Sequence, residues 1–201
     1  MEDLNTKYKD YIMIDESGRG NAAGEMVFCG IRIIGDVSFA DDSKKTTFQQ
    51  RETMVEKIKA NVEHCLVVKT PQEIDEKGLS QCLKECLETI IEYFGEDEKY
   101  LYDGNKTWNV TNPNLETLVK ADALVKGVGA ASIIAKHTKD YLMLEHHKEY
   151  PEYGWDTNQG YVTKKHISAI KENGYSKYHR KSYKIKELID EEVKEKTDFL
   201  F

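Results

Sequence analysis

Apolar positions fall in short runs over the first forty residues and settle into helical spacing beyond residue 70. Tyr11-Ile12-Met13-Ile14 is a continuous apolar run that meets two acids, and Met26 to Ile34, rich in branched and aromatic residues, ends at Gly35-Asp36. Runs of that length between turn residues predict two neighbouring strands. The cap-type residues Asp41-Asp42-Ser43 precede a polar helix predicted over Thr46 to Asn61; Cys65 to Val68 reads as a short strand, and Thr70-Pro71 opens further helix. Leu79, Leu83, Cys86, Leu87, Ile90, Ile91 and Phe94 recur at helical spacing and predict an amphipathic helix ended by Gly95. Lys99 to Tyr102 and Leu115 to Lys120 read as two more strands, each running into an acid. A long helix follows from Val128 to about His147, opened by Gly127-Val128-Gly129-Ala130-Ala131-Ser132, small residues that let a neighbouring backbone approach closely. Helices near Lys164 to Asn173 and Lys184 to Lys196 complete the chain. Early strands followed by alternation predict an α/β fold, a mixed β-sheet flanked by α-helices with a helical C-terminal region. No repeat or linker divides residues 1–201, so one domain is expected.

Composition narrows the class. No stretch approaches the roughly 20 apolar residues of a membrane span, and the N-terminus lacks the basic start and apolar core of a secretion signal. A cytoplasmic, monomeric protein is expected. Cys29, Cys65, Cys82 and Cys86 show no metal-ligand spacing and read as reduced structural thiols; the six histidines read as surface or packing residues. With 29 basic against 36 acidic residues the net charge is −7, which argues against a protein that coats nucleic acid indiscriminately. The charge is uneven, however: between Thr163 and Lys186 eight Lys or Arg and two His face only Glu172. Residues 163–201 are therefore expected to form a basic helical region on which a polyanion docks.

The candidate chemistry lies in the acids. Asp15 and Glu16, Asp103, and Asp122 each follow an apolar run, and strand ends of an α/β sheet are where ligand sites gather. Taken one at a time, Asp103-Gly104-Asn105 is also a turn sequence, and an acid after a strand is also a helix cap. If the strand ends lie side by side, four carboxylates share one cleft and repel one another unless divalent cations neutralise them. An all-oxygen set favours Mg²⁺ or Mn²⁺ over zinc, and two such ions roughly 3.5 to 4 Å apart suit hydrolysis of a phosphodiester. Gly18-Arg19-Gly20, directly after the acidic pair, offers bare backbone and a guanidinium suited to phosphate.

The stretch Ile14-Asp15-Glu16-Ser17-Gly18-Arg19-Gly20-Asn21-Ala22-Ala23-Gly24 resembles the opening signature of the ribonuclease HII (type 2 ribonuclease H) family. In the same order come Asp42-Ser43-Lys44, Asp103-Gly104, Lys120-Ala121-Asp122, Ala130 to Lys136 with Asp140, Gly160-Tyr161 before His166, and His179-Arg180-Lys181-Ser182-Tyr183. The resemblance spans most of residues 10–185 and implies a ribonuclease H-like sheet. It also implies a metal-dependent endonuclease that cuts the RNA strand of RNA/DNA hybrids and single ribonucleotides embedded in duplex DNA, leaving 3′-hydroxyl and 5′-phosphate ends. By the same resemblance Asp15, Glu16, Asp103 and Asp122 hold the metal ions. Gly18, Arg19 and Gly20 would hold the junction nucleotide, Tyr161 would stack on the sugar and sense its 2′-hydroxyl, and Lys44 would lie near backbone phosphates. Asp140 reads either as a further ligand or as an ion-pair partner. The sequence departs from the family at Glu25, where proline is common, and at Ala121, where glycine is common.

Two rivals stay open, a nuclease or recombinase of the same fold that does not read ribose and a silent nucleic-acid-binding module, whereas the Gly18-Arg19-Gly20 form sets the chain apart from the sister ribonuclease HIII family. The tail Lys196-Thr197-Asp198-Phe199-Leu200-Phe201 ends in apolar residues after a charged helix. It either packs on its own domain or binds a partner such as a sliding clamp.

Overall fold

The structure is a computed structural model that describes residues 3–40 and 48–188. Five strands form one mixed sheet in the order β3-β2-β1-β4-β5. β2 (Met26–Ile33) runs antiparallel to both of its neighbours, β1 (Ile12–Ser17) and β3 (Val62–Lys69), while β4 (Tyr100–Asp103) and β5 (Leu115–Leu118) run parallel to β1. The helices are α1 (Leu4–Lys7), α2 (Phe48–Lys59), α3 (Pro71–Lys77), α4 (Leu79–Phe94), α5 (Ala121–Leu124), α6 (Lys126–Glu149), α7 (Trp155–Asn158) and α8 (Lys164–Asn173). α6 packs on β1 and β2 with α2 beside it, while α4 covers the opposite face. No helix among the described residues is long and apolar enough to cross a membrane.

Strand periodicity explains the two cores. Successive side chains of a strand point to opposite faces, so Ile12 and Ile14 join the core beneath α4 while Met13 joins the core beneath α6. The amphipathic repeat predicted for α4 buries Leu83, Leu87 and Ile90 in the first of these cores. A third apolar cluster, built around Trp155, Tyr153, Ile167 and Met143, ties α7 and α8 to the outer end of α6.

The elements depart from the sequence-based expectations at their edges, each for a tertiary reason. β1 continues through Asp15 and Glu16 because β2 keeps pairing with it, Glu16 opposite Phe28 and Ser17 opposite Val27. The pair thus lies within the strand rather than beyond its end. β5 stops at Leu118, not Lys120, where its partner β4 ends at Asp103. β3 is twice the length of the apolar run that marked it, since the hairpin with β2 pairs polar residues too. The short turns at Pro151–Tyr153 and Trp155–Asn158 carry no periodicity that would reveal them. The helix anticipated over Lys184 to Lys196 runs past the described residues, and Asp41 to Thr47 lies outside them as well.

Candidate active site

The parallel half of the sheet assembles the acids. Ile14 is registered with Tyr102 across β1 and β4, so one step further along these parallel strands Asp15 and Asp103 stand side by side. Asp103 is registered with Leu118, the end of β5, and the chain then turns through Lys120, left-handed at φ 60°, to place Asp122 in the first turn of α5. Gly129 on α6 lets that turn settle: a Cβ there would lie 2.9 Å from the Asp122 carbonyl oxygen. Here the small-residue opening of the long helix is used for close backbone approach, as its composition suggests.

Asp15, Glu16, Asp103 and Asp122 line one open cavity of about 330 Å³, together with Gly18, Arg19, Gly20 and Tyr161. Eight of the nine residues singled out in the sequence therefore share one site. The ninth, Lys44, lies outside the described residues. Ser132 and Lys136, on successive turns of α6, also line the cavity and were not singled out as site residues. Their signal was present, since both belong to the Ala130-to-Lys136 motif, but nothing in the sequence aims them at the acids.

Strand alternation sends the two acids of the pair to different partners. Asp15, buried, accepts a hydrogen bond from the Ser132 side chain and one from the Glu16 backbone N–H at 2.7 Å. Glu16 points the other way, accepting from the Tyr102 hydroxyl at 2.7 Å and pairing with the Arg19 guanidinium at 3.0 Å. Burial, then the neighbouring Glu16 charge, pushes the Asp15 carboxyl well above the usual carboxylate range; burial pushes Glu16 up too. Asp103 accepts from the Ala121 N–H at 2.9 Å. Among the described residues no three His, Cys, Asp or Glu side chains stand in metal-holding positions, and Asp15, Glu16 and Asp103 each accept a hydrogen bond from a protein donor. The donor set nevertheless fits hard divalent cations in its chemistry: four carboxylates bearing only oxygen, two of them disfavoured as anions by burial.

The loop after the pair is shaped by its glycines. Gly18 has φ +90°, and a Cβ there would sit 2.6 Å from the Glu25 carbonyl oxygen and 3.2 Å from Lys139 Cγ. Gly20 has nothing within 4 Å of the same position, so its missing side chain leaves open space beside the cavity. Arg19 is half exposed, between Glu16 and the Trp108 ring 5.9 Å away. Tyr161 is 46% exposed at the rim, with the Lys139 ammonium 5.2 Å from its ring. Asp140 is an ion-pair partner, buried between Arg51 and Lys139, each at 2.6 Å, with Lys136 at 3.2 Å. Glu25 is buried in a pair with His146 at 2.8 Å.

The basic C-terminal region is only partly a surface charge. Lys164, Lys165, Lys171, Lys181, Lys184 and Lys186 are exposed, whereas Arg180, His166 and His179 are interior residues. The cysteines are free thiols, three of them buried.

A family model described as Ribonuclease HII matches residues 12–186. The ribonuclease HII of Sulfurovum sp. (strain NBC37-1) is 40% identical over 185 residues, covering 92% of this chain and 97% of that protein. That of Campylobacter concisus (strain 13826) is 41% identical over 173 residues, covering 86% and 92%. Among solved structures, a chain of the PCNA:RNase HII complex from Archaeoglobus fulgidus matches with a TM-score of 0.74 at 23% identity, covering 88% of this chain and 96% of that one, a likeness of fold.

Proposed function

Because the chain belongs to the ribonuclease HII family, and so is an endonucleolytic type 2 ribonuclease H acting on RNA/DNA hybrids, we propose that it also cuts at ribonucleotides embedded in duplex DNA. In this reading Asp15, Glu16, Asp103 and Asp122 hold two divalent ions, Mg²⁺ or Mn²⁺. One observation carries the proposal: the four acids share a small cavity with the Gly18-Arg19-Gly20 loop and Tyr161. Acids alone would suit any phosphodiester; an aromatic hydroxyl and a glycine-bordered arginine beside them suit a ribose next to a phosphate.

Bound divalent ions would supply charge neutralisation at the attacking and departing oxygens, consistent with 3′-hydroxyl and 5′-phosphate products. The chain's own residues do the rest. Asp15 and Asp103, adjacent on parallel strands, and Glu16 and Asp122 on either side of them turn their oxygens inward from their present donors. Arg19 is half exposed and free to swing from Glu16 to a phosphate of the junction nucleotide, while Gly20 leaves room for the sugar-phosphate backbone. Tyr161 packs its ring against the sugar and offers its hydroxyl to the 2′-hydroxyl, the group that separates RNA from DNA. Lys44 is assigned to the backbone phosphates, and the exposed lysines of 164–186 to the flanking duplex. The tail 196–201, also outside the described residues, is our candidate for a sliding-clamp contact of the kind named for the Archaeoglobus fulgidus protein.

The test is cleavage of three matched duplexes, carrying one ribonucleotide, several, or none, in Mg²⁺ and then Mn²⁺. Cleavage of the first two but not the third supports the reading. Cleavage of all three would reassign the chain to a nuclease blind to ribose, and cleavage of the second alone would remove the embedded-ribonucleotide activity.

A further inference from the structure

His179-Arg180-Lys181-Ser182-Tyr183 is a motif that the acid site does not use, and two of its residues are fully interior. Their hydrogen bonds lead, through His166 for His179 and directly for Arg180, to the main chain of Tyr161 and Arg19, assigned above to the ribose and to the junction nucleotide. The Ser176 backbone N–H donates to His179 Nδ1 at 2.9 Å, which leaves the proton of a neutral His179 on Nε2. That nitrogen lies 3.0 Å from His166 Nε2, which also takes the Trp155 indole N–H at 3.1 Å and is therefore the acceptor of both. The His166 proton is then on Nδ1, which donates to the Tyr161 carbonyl oxygen at 2.9 Å. Each tautomer follows from a donor-only group at one end of the chain. Burial lowers the proton affinity of both rings, that of His179 to a pKa of about 3, so both stay neutral and each keeps one donor and one acceptor.

The neighbouring residue works in the other direction. Arg180 donates from Nε and Nη2 to the Gly24 carbonyl oxygen at 3.0 and 2.8 Å, and from Nη1 to the Arg19 carbonyl oxygen at 3.1 Å. The Tyr183 hydroxyl reaches the same Arg19 oxygen at 2.7 Å. Direct backbone bonds tie the three segments: Arg180 N–H to Ala22 at 2.8 Å, Gly24 N–H to Tyr178 at 2.8 Å, and Ala22 N–H to Gly160 at 2.9 Å. Gly160 has φ +83°, and any Cβ there would collide with the Ala23 carbonyl, so the junction is closed to bulk.

We propose that Ser176 to Tyr183 is a brace whose two arms, His179 through His166 and Arg180 with Tyr183, position Tyr161 and Arg19 against one ribonucleotide. These are positioning residues: they touch the main chain that carries the reader, not the substrate. The proposal rests on the assignment of Tyr161 to the ribose given above. An error of about 1 Å in such a reader is enough to lower turnover by about 100-fold without removing the binding contacts made elsewhere.

The experiment measures kcat and KM on a duplex with one ribonucleotide, with the melting temperature of each variant recorded. His166→Phe is expected to lower kcat about 10- to 100-fold while KM stays within about threefold, and His166→Gln, whose amide can donate to the same carbonyl, to recover most of the loss. In a Tyr161→Ala background His166→Phe should add nothing, since both act through one side chain. Arg180→Met should behave likewise against Arg19→Ala. If His166→Phe fails to fold, Trp155→Phe, which removes one donor and keeps an aromatic ring, carries the same cycle. Full multiplicative losses in the double variants overturn the brace while leaving the Tyr161 assignment intact. Tyr161→Ala at wild-type kcat and KM overturns that assignment and the brace with it.

Discussion

Gly18 and Gly20 flank the same arginine yet should respond oppositely to alanine. At Gly18 an L side chain must adopt φ +90°, which costs about 1–2 kcal/mol. The added Cβ would also meet the Glu25 carbonyl oxygen at 2.6 Å and Lys139 Cγ at 3.2 Å. The carbonyl belongs to the backbone just before β2, and Lys139 is fully buried against Asp140, so neither yields cheaply; such overpacking costs about 1–3 kcal/mol. Gly18→Ala should therefore lose about 2–5 kcal/mol, a large share of the roughly 5–15 kcal/mol that holds a domain folded. At Gly20 nothing lies within 4 Å and φ is outside the left-handed region, so alanine should be neutral or stabilising by up to about 1 kcal/mol. Its methyl would instead occupy space reserved for the substrate, lowering kcat/KM by about tenfold, equivalent to about 1.4 kcal/mol. Urea denaturation with an unchanged m-value reads the first effect, and cleavage of a duplex with one ribonucleotide reads the second. Equal unfolding midpoints for Gly18→Ala and the wild type would refute the packing argument. A Gly20→Ala protein as active as the wild type would refute the claim that open space there serves the substrate.

Other expectations follow from named contacts. Asp122→Asn should reduce cleavage by about 100-fold or more while the melting temperature holds, and undiminished Mg²⁺-dependent cleavage would remove Asp122 from the metal set. Chelation should abolish activity, and adding Mg²⁺ should raise the melting temperature of the wild type but much less that of Asp15→Asn, because the cation relieves repulsion among buried carboxylates; equal shifts would contradict this. Asp140→Ala strips the shared carboxylate from buried Arg51 and Lys139 and should cost about 3–5 kcal/mol in urea; a loss below about 1 kcal/mol would show the network to be idle. His179 is held neutral in the fold with its pKa lowered to about 3, against about 6.5 unfolded, so the unfolded chain binds the extra proton. Stability from this residue is fully present above about pH 6.5 and falls toward pH 3 by at most about 1.4 kcal/mol per unit; His179→Gln should flatten that limb of the stability curve.

The legibility of the site differed from residue to residue. Asp15 and Glu16 stood out as candidates because an acidic pair at the end of an apolar run is costly to bury, and the six ordered motifs around them made the family recognisable. Gly18 and Gly20 could not be told apart, since their difference lies in the Glu25 carbonyl and Lys139, which a local sequence does not place. The histidines read as packing residues because none has ligand spacing. They do pack, but His166 and His179 also form a directional chain that depends on which ring nitrogen faces which donor. Arg180 counted toward a basic surface in the sequence and is instead an interior clamp.

By itself the sequence determined the kinds of element, the mixed α/β class and the family, and it singled out the four acids as candidates, because these depend on residue type, period and order along the chain. The tertiary structure decided what those residues meet. Strand register set Asp15 beside Asp103, pleat alternation sent Asp15 toward Ser132 and Glu16 toward Tyr102, and the fold brought residues 18–24, 159–161 and 176–183 into one hydrogen-bonded junction. Those are contacts between segments up to about 160 positions apart, and a one-dimensional pattern carries no information about which distant donor a given acceptor will find.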